Sequence, residues 1–277
     1  MTDLNNKTVL VTGAASGIGR LMVNACLQSG ARQMVLWDLN GNGLDTARNE
    51  LARQGHDAIT SVVDMGDAEQ IQRAAKYLKE KEVVVDILFN NAGIVIGETF
   101  ENHTHRDIER TIDVNVKGLM HAALEFLPAM IKQRAGHIIN IASAAGLIAN
   151  PKMSVYVSSK WAVIGWSESL RLEMQRDNTG VQVTTVMPGY IDTGMFDGIR
   201  PPLLTPVLTP EVIVEKIIAA VRKNKNILQE PFMVRCVPLL KGVLPHKGFD
   251  FLAGKIFGIH NTMDHFTGRK QNSEHRE

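Results

Sequence analysis

The chain alternates short runs of apolar and β-branched residues with longer amphipathic stretches. The runs with the length and composition of strands are residues 8–12, 34–38, 58–64, 86–90, 137–142 and 181–187. The stretches with helical length and spacing include residues 21–29, 44–54, 68–79, 106–131 and 154–176. Most strand runs are too continuously apolar for a sheet with one wet face, so we expect parallel strands covered by helices on both faces. This alternation predicts a doubly wound α/β fold.

Length and charge limit the number of domains and the classes of partner. The chain has 277 residues, 44% of them apolar, which suffices for one substantial core but is short for two full domains. A net charge of +1 gives no electrostatic footprint for nucleic acid, so no such partner is expected. Residues 1–7 are polar and lead straight into the first strand, so neither a signal peptide nor an N-terminal anchor is expected.

The residues that bind metals or form disulfides are sparse and scattered. Cys26 and Cys236 lie far apart without a ligand cluster, so a disulfide framework and a structural zinc are not expected, and a cytoplasmic location fits better. His103 and His105 lie in a polar run that we interpret as a solvated loop entering a helix. No metal site is predicted.

A glycine-rich turn at residues 12–19 connects the first strand to the first helix. In this position backbone amides and the helix N-terminus can face a pyrophosphate. Gly13 permits the tight turn, while Gly17 and Gly19 allow close approach of a ligand and of the helix. The candidate cofactor-binding residues of the turn are Gly13, Ser16, Gly17, Ile18 and Gly19. Alone, the motif is also compatible with an ordinary turn.

An acidic residue at the end of the second strand favours NAD as the cofactor over NADP. A carboxylate here can accept hydrogen bonds from both ribose hydroxyls of an adenosine and would repel a 2′-phosphate. Asp38 occupies this position, and no basic residue stands at Ala14, Ala15 or Leu39 to bind the extra phosphate. The alternative role for Asp38 is a helix cap or a solvated turn.

Tyr156 and Lys160 stand one helical turn apart, which puts both side chains on the same helix face. A tyrosine that acts as a base near neutral pH needs its pKa lowered by roughly 2 to 3 units from about 10. An ammonium about 4 Å away is worth on the order of 4 kcal/mol at an effective dielectric near 20, which is enough. With Ser143 and the glycine-rich turn, the pair indicates a hydride-transfer enzyme. Separately, Ser143 could cap a turn, and Tyr156 and Lys160 could form a surface pair.

These motifs together resemble the classical short-chain dehydrogenase/reductase family over most of the chain. The family's motifs occur here in order as residues 12–19, Asn90-Asn91-Ala92-Gly93, Asn115, Ser143, Tyr156 with Lys160, and Pro188-Gly189. The resemblance implies a Rossmann-type sheet and a dinucleotide cofactor. The further cofactor-binding residues that it implies are Asp64 and Met65 beside the adenine, Asn91, Ala92 and Gly93 under the cofactor, Pro188 and Gly189, and Ile191 and Thr193 at the nicotinamide carboxamide.

The resemblance also implies a catalytic set of Asn115, Ser143, Tyr156 and Lys160. Tyr156 would exchange a proton with the substrate oxygen, and Ser143 would hold that oxygen. Lys160 would lower the pKa of the tyrosine and bind the nicotinamide ribose, while Asn115 would hold a water that links the lysine to solvent. Charge develops on one oxygen, and these groups would meet it already aligned.

The class of substrate is inferred from the less regular segments. In the family, residues 190–210 correspond to a mobile substrate lid, and here this segment is mostly apolar. Thr209 and Pro210 are typical of a helix N-cap and a first helical residue, so the lid is expected to end there. The candidate pocket residues are Ala145, Leu147, Met153, Met195 and Phe196. Their apolar character indicates a lipophilic alcohol or ketone.

Residues 232–259 form a long hydrophobic stretch interrupted by Pro238 and Pro245. The prolines and charges exclude one membrane-spanning helix, and two short amphipathic helices are predicted instead. The tail resembles the branch of the family that includes retinol and 17β-hydroxysteroid dehydrogenases. We expect it to cover the substrate pocket, and peripheral lipid contact is compatible with it. An oligomer contact or additional core is the open alternative.

The expected organisation is a dinucleotide-binding and catalytic domain at residues 1–230, a helical extension of it at 231–268, and a frayed end at 269–277. The expected function is NAD-dependent interconversion of a lipophilic alcohol of steroid, retinol or aliphatic type with its ketone or aldehyde, by a homodimer or homotetramer. One alternative is a non-catalytic NAD-binding regulatory protein, which would usually lose part of the catalytic set. A sugar epimerase or dehydratase would need a larger C-terminal domain.

Overall fold

The computed structural model describes residues 1–268 and contains a seven-stranded parallel sheet. The strands are β1 (Thr8–Thr12), β2 (Gln33–Asp38), β3 (Ala58–Val62), β4 (Ile87–Asn90), β5 (Gly136–Ile141), β6 (Val181–Pro188) and β7 (Ile227–Glu230). Their order across the sheet is β3-β2-β1-β4-β5-β6-β7. In register, Val9 of β1 lies between Met34 of β2 and Ile87 of β4. The predicted fraying of residues 269–277 lies outside the described residues.

Helices cover both faces of the sheet. They are α1 (Gly17–Gln28), α2 (Gly41–Arg53), α3 (Ala68–Glu80), α4 (His105–Ile112), α5 (Gly118–Gln133), α6 (Ser154–Arg176), α7 (Pro210–Arg222), α8 (Phe232–Val243) and α9 (His246–Phe251). Helices α1, α2 and α7 pack on one face around Met22, Leu44 and Ile217. Helices α3, α5 and α6 pack on the other, where Trp37 of β2 contacts Phe126 of α5 with 5.6 Å between ring centroids. The doubly wound Rossmann-type fold is therefore confirmed.

The strand order reverses between β1 and β4, because β2 and β3 lie on one side of β1 while β4 to β7 lie on the other. In such sheets ligands bind beyond the carboxyl ends of the strands at the point of reversal. The glycine-rich turn follows β1 and the Asn91 segment follows β4, so both lie at this crevice.

Two parts of the predicted element pattern are wrong. The seventh strand, Ile227–Glu230, was not predicted because it is four residues long and half polar. The helix predicted at residues 106–131 is interrupted by a π-helical turn, Asp113–Lys117, which separates α4 from α5. Such a turn inserts one extra residue without changing the composition, so apolar periodicity does not reveal it.

The C-terminal stretch folds as two short helices, α8 and α9, followed by a π-helical turn at Leu252–Ile256. This agrees with the predicted pair of amphipathic helices. Helix α7 begins at Pro210 after an extended Thr209, as predicted, although the Thr209 side chain makes no capping hydrogen bond.

Candidate active site

The glycine-rich turn is held in shape by residues from β1 and from the segment after β4. Gly13 and Gly17 have positive φ angles of 67° and 56°, which favour glycine. A Cβ on Gly19 would overlap the carbonyl oxygen of Gly13, so no larger residue fits. The Asn91 side chain donates to the carbonyl oxygens of Thr12 and Gly13 at 2.9 and 3.2 Å. The backbone of the turn is therefore fixed before a ligand arrives.

A cleft with an empty volume of about 1160 Å³ runs across the carboxyl ends of the strands. Every residue predicted to bind the cofactor lines it: Gly13, Ser16, Gly17, Ile18, Gly19, Asp38, Asp64, Met65, Asn91, Ala92, Gly93, Tyr156, Lys160, Pro188, Gly189, Ile191 and Thr193. The N-terminal turn of α1 forms part of the wall, which places backbone amides and the positive end of a helix dipole beside the cleft. A Cβ on Gly93 would lie 3.3 Å from Asn115 Oδ1, which is tighter than an ordinary contact, so glycine suits this close approach. The residues present therefore fit a dinucleotide.

Asp38 lies at the end of β2 with both carboxylate oxygens held by backbone amides. Its Oδ2 accepts from the Ala15 amide and its Oδ1 from the Asn40 amide, both at 2.9 Å. The carboxylate is thus fixed at the edge of the cleft and retains lone pairs for further donors.

Arg110 is a residue of the cleft that the sequence reasoning missed. Its Nη1 pairs with the Asp64 carboxylate at 2.8 Å. The two residues are 46 positions apart, so no local pattern signals the pair. Because Arg110 orients the carboxylate of Asp64, it fixes the predicted adenine end of the cleft.

Ser143, Tyr156 and Lys160 come together at the other end of the cleft. Ser143 follows β5, and its hydroxyl contacts the hydroxyl of Tyr156 through a hydrogen bond. Lys160, one turn further along α6, donates from Nζ to the carbonyl oxygen of Ile141 at 2.9 Å. The ammonium lies 5.7 Å from the centre of the Tyr156 ring. Both side chains are 5% exposed.

The expected lowering of the tyrosine pKa by Lys160 is wrong for the chain alone. Burial raises the pKa of the Tyr156 hydroxyl, and the hydrogen bond with Ser143 opposes the rise. Burial also lowers the pKa of the Lys160 ammonium to about 8. The physical reason is that both groups lose hydration on burial, while the ammonium donates to the neutral carbonyl of Ile141.

Asn115 lies in the π-helical turn between α4 and α5 and is fully buried. Its Oδ1 accepts from the Ile94 amide at 2.8 Å, and its Nδ2 donates to the Ile94 carbonyl oxygen at 2.9 Å and to Ser159 Oγ at 3.1 Å. The side chain therefore connects the segment after β4 to helix α6, which carries Tyr156 and Lys160. Both amide hydrogens are engaged, and the role of Asn115 in holding a water stays a prediction.

A second, apolar cavity with an empty volume of about 970 Å³ adjoins the cleft. Both cavities are lined by Ser143, Gly189 and Phe196. Of the predicted pocket residues, Ala145, Met153 and Phe196 line the apolar cavity. The other two predicted residues do not line this cavity. Leu147 packs against a small core cluster that includes Leu119 and Val163, and Met195 lines the cofactor cleft instead.

The sequence is similar to those of known dehydrogenases. The short chain dehydrogenase profile matches residues 7–203. The chain belongs to the short-chain dehydrogenase family. It is 37% identical to epidermal retinol dehydrogenase 2 of Mus musculus over 97% of this chain and 88% of that protein. It is 35% identical to estradiol 17-beta-dehydrogenase 11 of Mus musculus over 90% of this chain and 83% of the relative.

Solved structures of the family share the fold. A short chain dehydrogenase/reductase from Burkholderia phymatum in complex with NAD is 25% identical, with a TM-score of 0.78 and coverage of 91% of this chain and 96% of that one. A short-chain dehydrogenase from Sphingobium yanoikuyae in complex with NADPH is 27% identical, with a TM-score of 0.76 and coverage of 85% and 92%. Short-chain dehydrogenases thus bind NAD or NADP, and this member has the cleft for such a cofactor.

In this short-chain dehydrogenase the predicted lid segment is hydrogen-bonded to residues 257–262. Residues 190–210 close at their base through a bridge between Ile191 and Leu208. Nearer the tip, the amide of Arg200 donates to the carbonyl oxygen of Thr262, and that of Leu203 to the carbonyl oxygen of Phe257, at 3.0 and 2.9 Å. Residues 190–210 therefore contact the C-terminal segment through their backbone.

Phe196 of the lid lies edge-on to two tyrosines. Its ring centroid is 6.0 Å from that of Tyr156 and 5.2 Å from that of Tyr190. Edge-to-face contacts of this kind stabilise aromatic clusters. Phe196 is therefore packed against Tyr156, at the point where the cleft and the apolar cavity meet.

The tail supplies one wall of the apolar cavity. Its lining residues from the tail are Pro231, Met233, Val234, Val237, Leu240, Phe249, Leu252, Ala253, Phe257 and Ile259. The four of them that belong to α8 are Met233, Val234, Val237 and Leu240, and their spacing places them on one helix face. The tail thus borders the cavity.

One polar cluster interrupts the apolar wall. Asn150 Nδ2 donates to Thr262 Oγ1 at 2.7 Å and to the Tyr190 hydroxyl at 3.1 Å. The residues lie 112 and 40 positions from Asn150, so sequence reasoning did not find them. The cluster connects the segment before α6, the lid and the C-terminal segment.

Within residues 1–268, no three His, Cys, Asp or Glu side chains are grouped so as to hold a metal ion, and no helix has the length and apolarity to cross a bilayer. His103 differs from the expected solvated loop, because both of its ring nitrogens are buried and have no hydrogen-bond partner among the described residues. Helix α4 begins at His105, as the expected entry into a helix requires.

Proposed function

We propose that this chain interconverts a lipophilic alcohol with its ketone or aldehyde, using a nicotinamide dinucleotide with NAD preferred. One observation carries the proposal: the cleft that fits a dinucleotide and the apolar cavity meet at Ser143 and Phe196, beside Tyr156. A carbinol carbon at this junction would have the cofactor on one side and the apolar cavity around the rest of the molecule.

The bound cofactor supplies hydride transfer at its nicotinamide ring, and the protein positions the substrate oxygen and moves its proton. The Ser143 hydroxyl donates to that oxygen, and Tyr156 Oη gives it a proton in reduction or takes one in oxidation. The raised pKa of Tyr156 keeps the hydroxyl protonated near neutral pH, which is the form that reduction requires. Oxidation requires the phenolate, so the oxidation rate is expected to rise with pH.

The preference for NAD rests on the charges that line the cleft. Asp38 presents a fixed carboxylate where a 2′-phosphate would lie. Among the described lining residues, the two with basic side chains are Arg110 and Lys160. Arg110 pairs with Asp64, and Lys160 lies against Ile141 at the catalytic end. Since both already have partners, we expect neither to bind a 2′-phosphate beside Asp38.

The class of substrate is supported by the cavity and by the relatives. The lining of the cavity is aliphatic and aromatic except for Ser143, Asn150, Tyr190 and Thr205. The relatives are named as a retinol dehydrogenase and an estradiol dehydrogenase, both acting on lipophilic alcohols by name. We propose that this chain takes a molecule of similar character and size.

Exposed apolar side chains near the cavity support peripheral contact with lipid. On the tail, Phe232, Leu239 and Val243 are 67%, 69% and 71% exposed, and on the lid Leu204 is 65% exposed. A membrane surface that holds the lipophilic substrate would bury these side chains. Both cysteines are free, which supports action on the cytoplasmic side.

We propose a homodimer or homotetramer formed through the outer faces of α5 and α6. Leu124 on α5 and Leu172 on α6 are 67% and 56% exposed. Such contacts would also support the catalytic helix. Light scattering of the chain and of Leu124→Glu tests this, and an unchanged mass would contradict it.

The function is tested by a screen for NADH fluorescence over steroids, retinoids and aliphatic alcohols. We expect turnover with at least one bulky lipophilic alcohol, and its loss in Tyr156→Phe with little change in NADH affinity, because the change removes only the proton-exchanging hydroxyl. If Tyr156→Phe retains more than a few per cent of the rate, the mechanism is wrong. NADH binding without turnover of any alcohol would favour a regulatory protein instead.

A further inference from the structure

A lysine on the tail contacts the loop that follows Ser143. Lys241 Nζ donates to the carbonyl oxygen of Leu147 at 2.7 Å. The same ammonium lies 4.6 Å from the ring centroid of Trp161 and 5.8 Å from that of Phe249. A cation within about 6 Å of an aromatic face is attracted by the ring's quadrupole. One tail side chain therefore joins the catalytic loop, the catalytic helix α6 and the helix α9.

The loop is a single turn of 3-10 helix, Ala144–Gly146, with Ser143 at its N-terminus and Leu147 at its C-terminus. Ser143 Oγ accepts from the Ala145 amide at 3.1 Å. Trp161 Nε1 donates to the Ala145 carbonyl oxygen at 2.9 Å. A cation at the C-terminal end satisfies a free carbonyl group and complements the local dipole. The turn that presents Ser143 is thus held from outside by Trp161 and by the tail.

We propose that Lys241 is a positioning residue for catalysis, which fixes the Ser143 loop when the tail is docked on the pocket. The inference rests on the proposed function, in which Ser143 holds the substrate oxygen. It couples the wall of the substrate pocket to the alignment of the reacting oxygen. Ser143 serves every substrate, so even a short alcohol that does not reach the tail depends on Lys241.

Three substitutions separate this role from simple support of the tail. Lys241→Met keeps the apolar stem and removes the ammonium. Lys241→Arg keeps a cation that can donate to a carbonyl and stack on an indole ring. Lys255→Met is the matched control, because Lys255 also lies on the tail and its ammonium is 5.9 Å from the ring centroid of Phe251, within the tail itself.

The first measurement needs no turnover. The amides of residues 146–148 donate within the Ser143 loop, so their hydrogen exchange reports how well the loop is held. We expect Lys241→Met to raise their exchange rate at least tenfold, about 1.4 kcal/mol, while Lys241→Arg and Lys255→Met stay near the wild type. Unchanged exchange in Lys241→Met overturns the proposal.

The second measurement compares a short alcohol with a bulky lipophilic one. We expect Lys241→Met to lower kcat for the short alcohol at least fivefold with an unchanged KM, and Lys241→Arg to restore it. An effect confined to the KM of the bulky substrate would overturn the positioning role and leave the tail as a wall only. If the wild type turns over no alcohol but the exchange results hold, the proposed function fails while the contact between tail and loop stands.

Discussion

Lys160 is a buried cation whose described partner is a neutral carbonyl rather than a carboxylate. Its ammonium donates to Ile141, and burial lowers its pKa from 10.5 to about 8. A charged group held in this way destabilises the fold, since its hydration is only partly replaced. Functional sites commonly contain such groups. Lys160 is therefore expected to lower the stability of the folded protein.

We expect Lys160→Met to raise the free energy of unfolding at pH 7 by about 1 to 3 kcal/mol, because the shift from 10.5 to about 8 sets the scale. Between pH 8 and 10.5 the unfolded wild-type chain binds more protons than the folded chain, so wild-type stability rises with pH across this window. The advantage of the variant should shrink towards pH 10. Urea unfolding at pH 7 and pH 10 measures it, with the exposed Lys132→Met as the control. A less stable variant at pH 7 would contradict the assignment.

Asp38 is expected to make NAD bind at least tenfold tighter than NADP, about 1.4 kcal/mol or more. The physical reason is repulsion between its fixed carboxylate and a 2′-phosphate. Asp38→Asn should reduce the ratio of the affinity for NAD to that for NADP. Asp45→Asn changes an exposed residue of α2 and should leave this ratio unchanged. Fluorescence titration with NADH and NADPH gives both affinities. Equal affinities in the wild type would rule out this role.

At the scale of elements, sequence periodicity predicts six of the strands and both tail helices but not the details that tertiary contacts decide. The short edge strand Ile227–Glu230 takes its conformation from pairing with β6. The π-helical turn at Asp113–Lys117 presents Asn115 to the Ile94 backbone. A local apolar pattern predicts neither the edge strand nor the π-helical turn, because each depends on contacts with residues distant in sequence.

Phe249→Ser tests the tail as a wall of the pocket. Phe249 is 8% exposed and lines the apolar cavity, so losing roughly 100 Å² of apolar contact should cost about 2.5 kcal/mol for a bulky substrate. We expect a large rise in its KM, with the KM of a short alcohol and the affinity for NADH nearly unchanged. Phe251→Ser, at a tail residue that is 56% exposed, is the control. Unchanged discrimination with an altered mass in light scattering would make the tail an assembly element.

At the scale of the whole molecule, the site joins segments from nearly the full length of the chain. Most of the predicted residues that line the cleft stand at or just beyond the carboxyl end of a strand, and the parallel sheet brings those ends together. The apolar cavity was predicted only in part. Its walls come from the lid and the tail, whose relative placement depends on contacts such as Asn150 with Thr262.

The N-terminal segment is joined to the sheet through a buried histidine. His137 contacts Thr2 Oγ1 at 2.9 Å and Thr184 Oγ1 at 2.8 Å. Burial lowers its pKa from 6.5 to about 3. Between these values the unfolded chain binds more protons, so this contribution to stability is full above pH 6.5 and is lost as the pH falls towards 3.

Because of this lowered pKa, we expect the free energy of unfolding to fall by roughly 2 kcal/mol between pH 6.5 and pH 5. In His137→Gln, whose amide can still bond both hydroxyls, the free energy of unfolding should not show this fall of roughly 2 kcal/mol. Urea unfolding at the two pH values measures the difference. The exposed His56→Gln is the control and should follow the wild type. Parallel losses in wild type and His137→Gln would show that the imidazole does not govern the acid response.

The position of β1 between β2 and β4 also has a consequence during synthesis. Thr8 at the start of β1 bonds Asp86, 78 residues later, at the entrance to β4. At about 5 to 20 residues per second, a ribosome makes the second partner roughly 4 to 16 seconds after the first strand. For that time Val9, Leu10 and Val11 have an open edge that other chains can pair with. The yield of folded protein in a cell is thus expected to depend on chaperones and on the rate of translation more than on the stability of the finished protein.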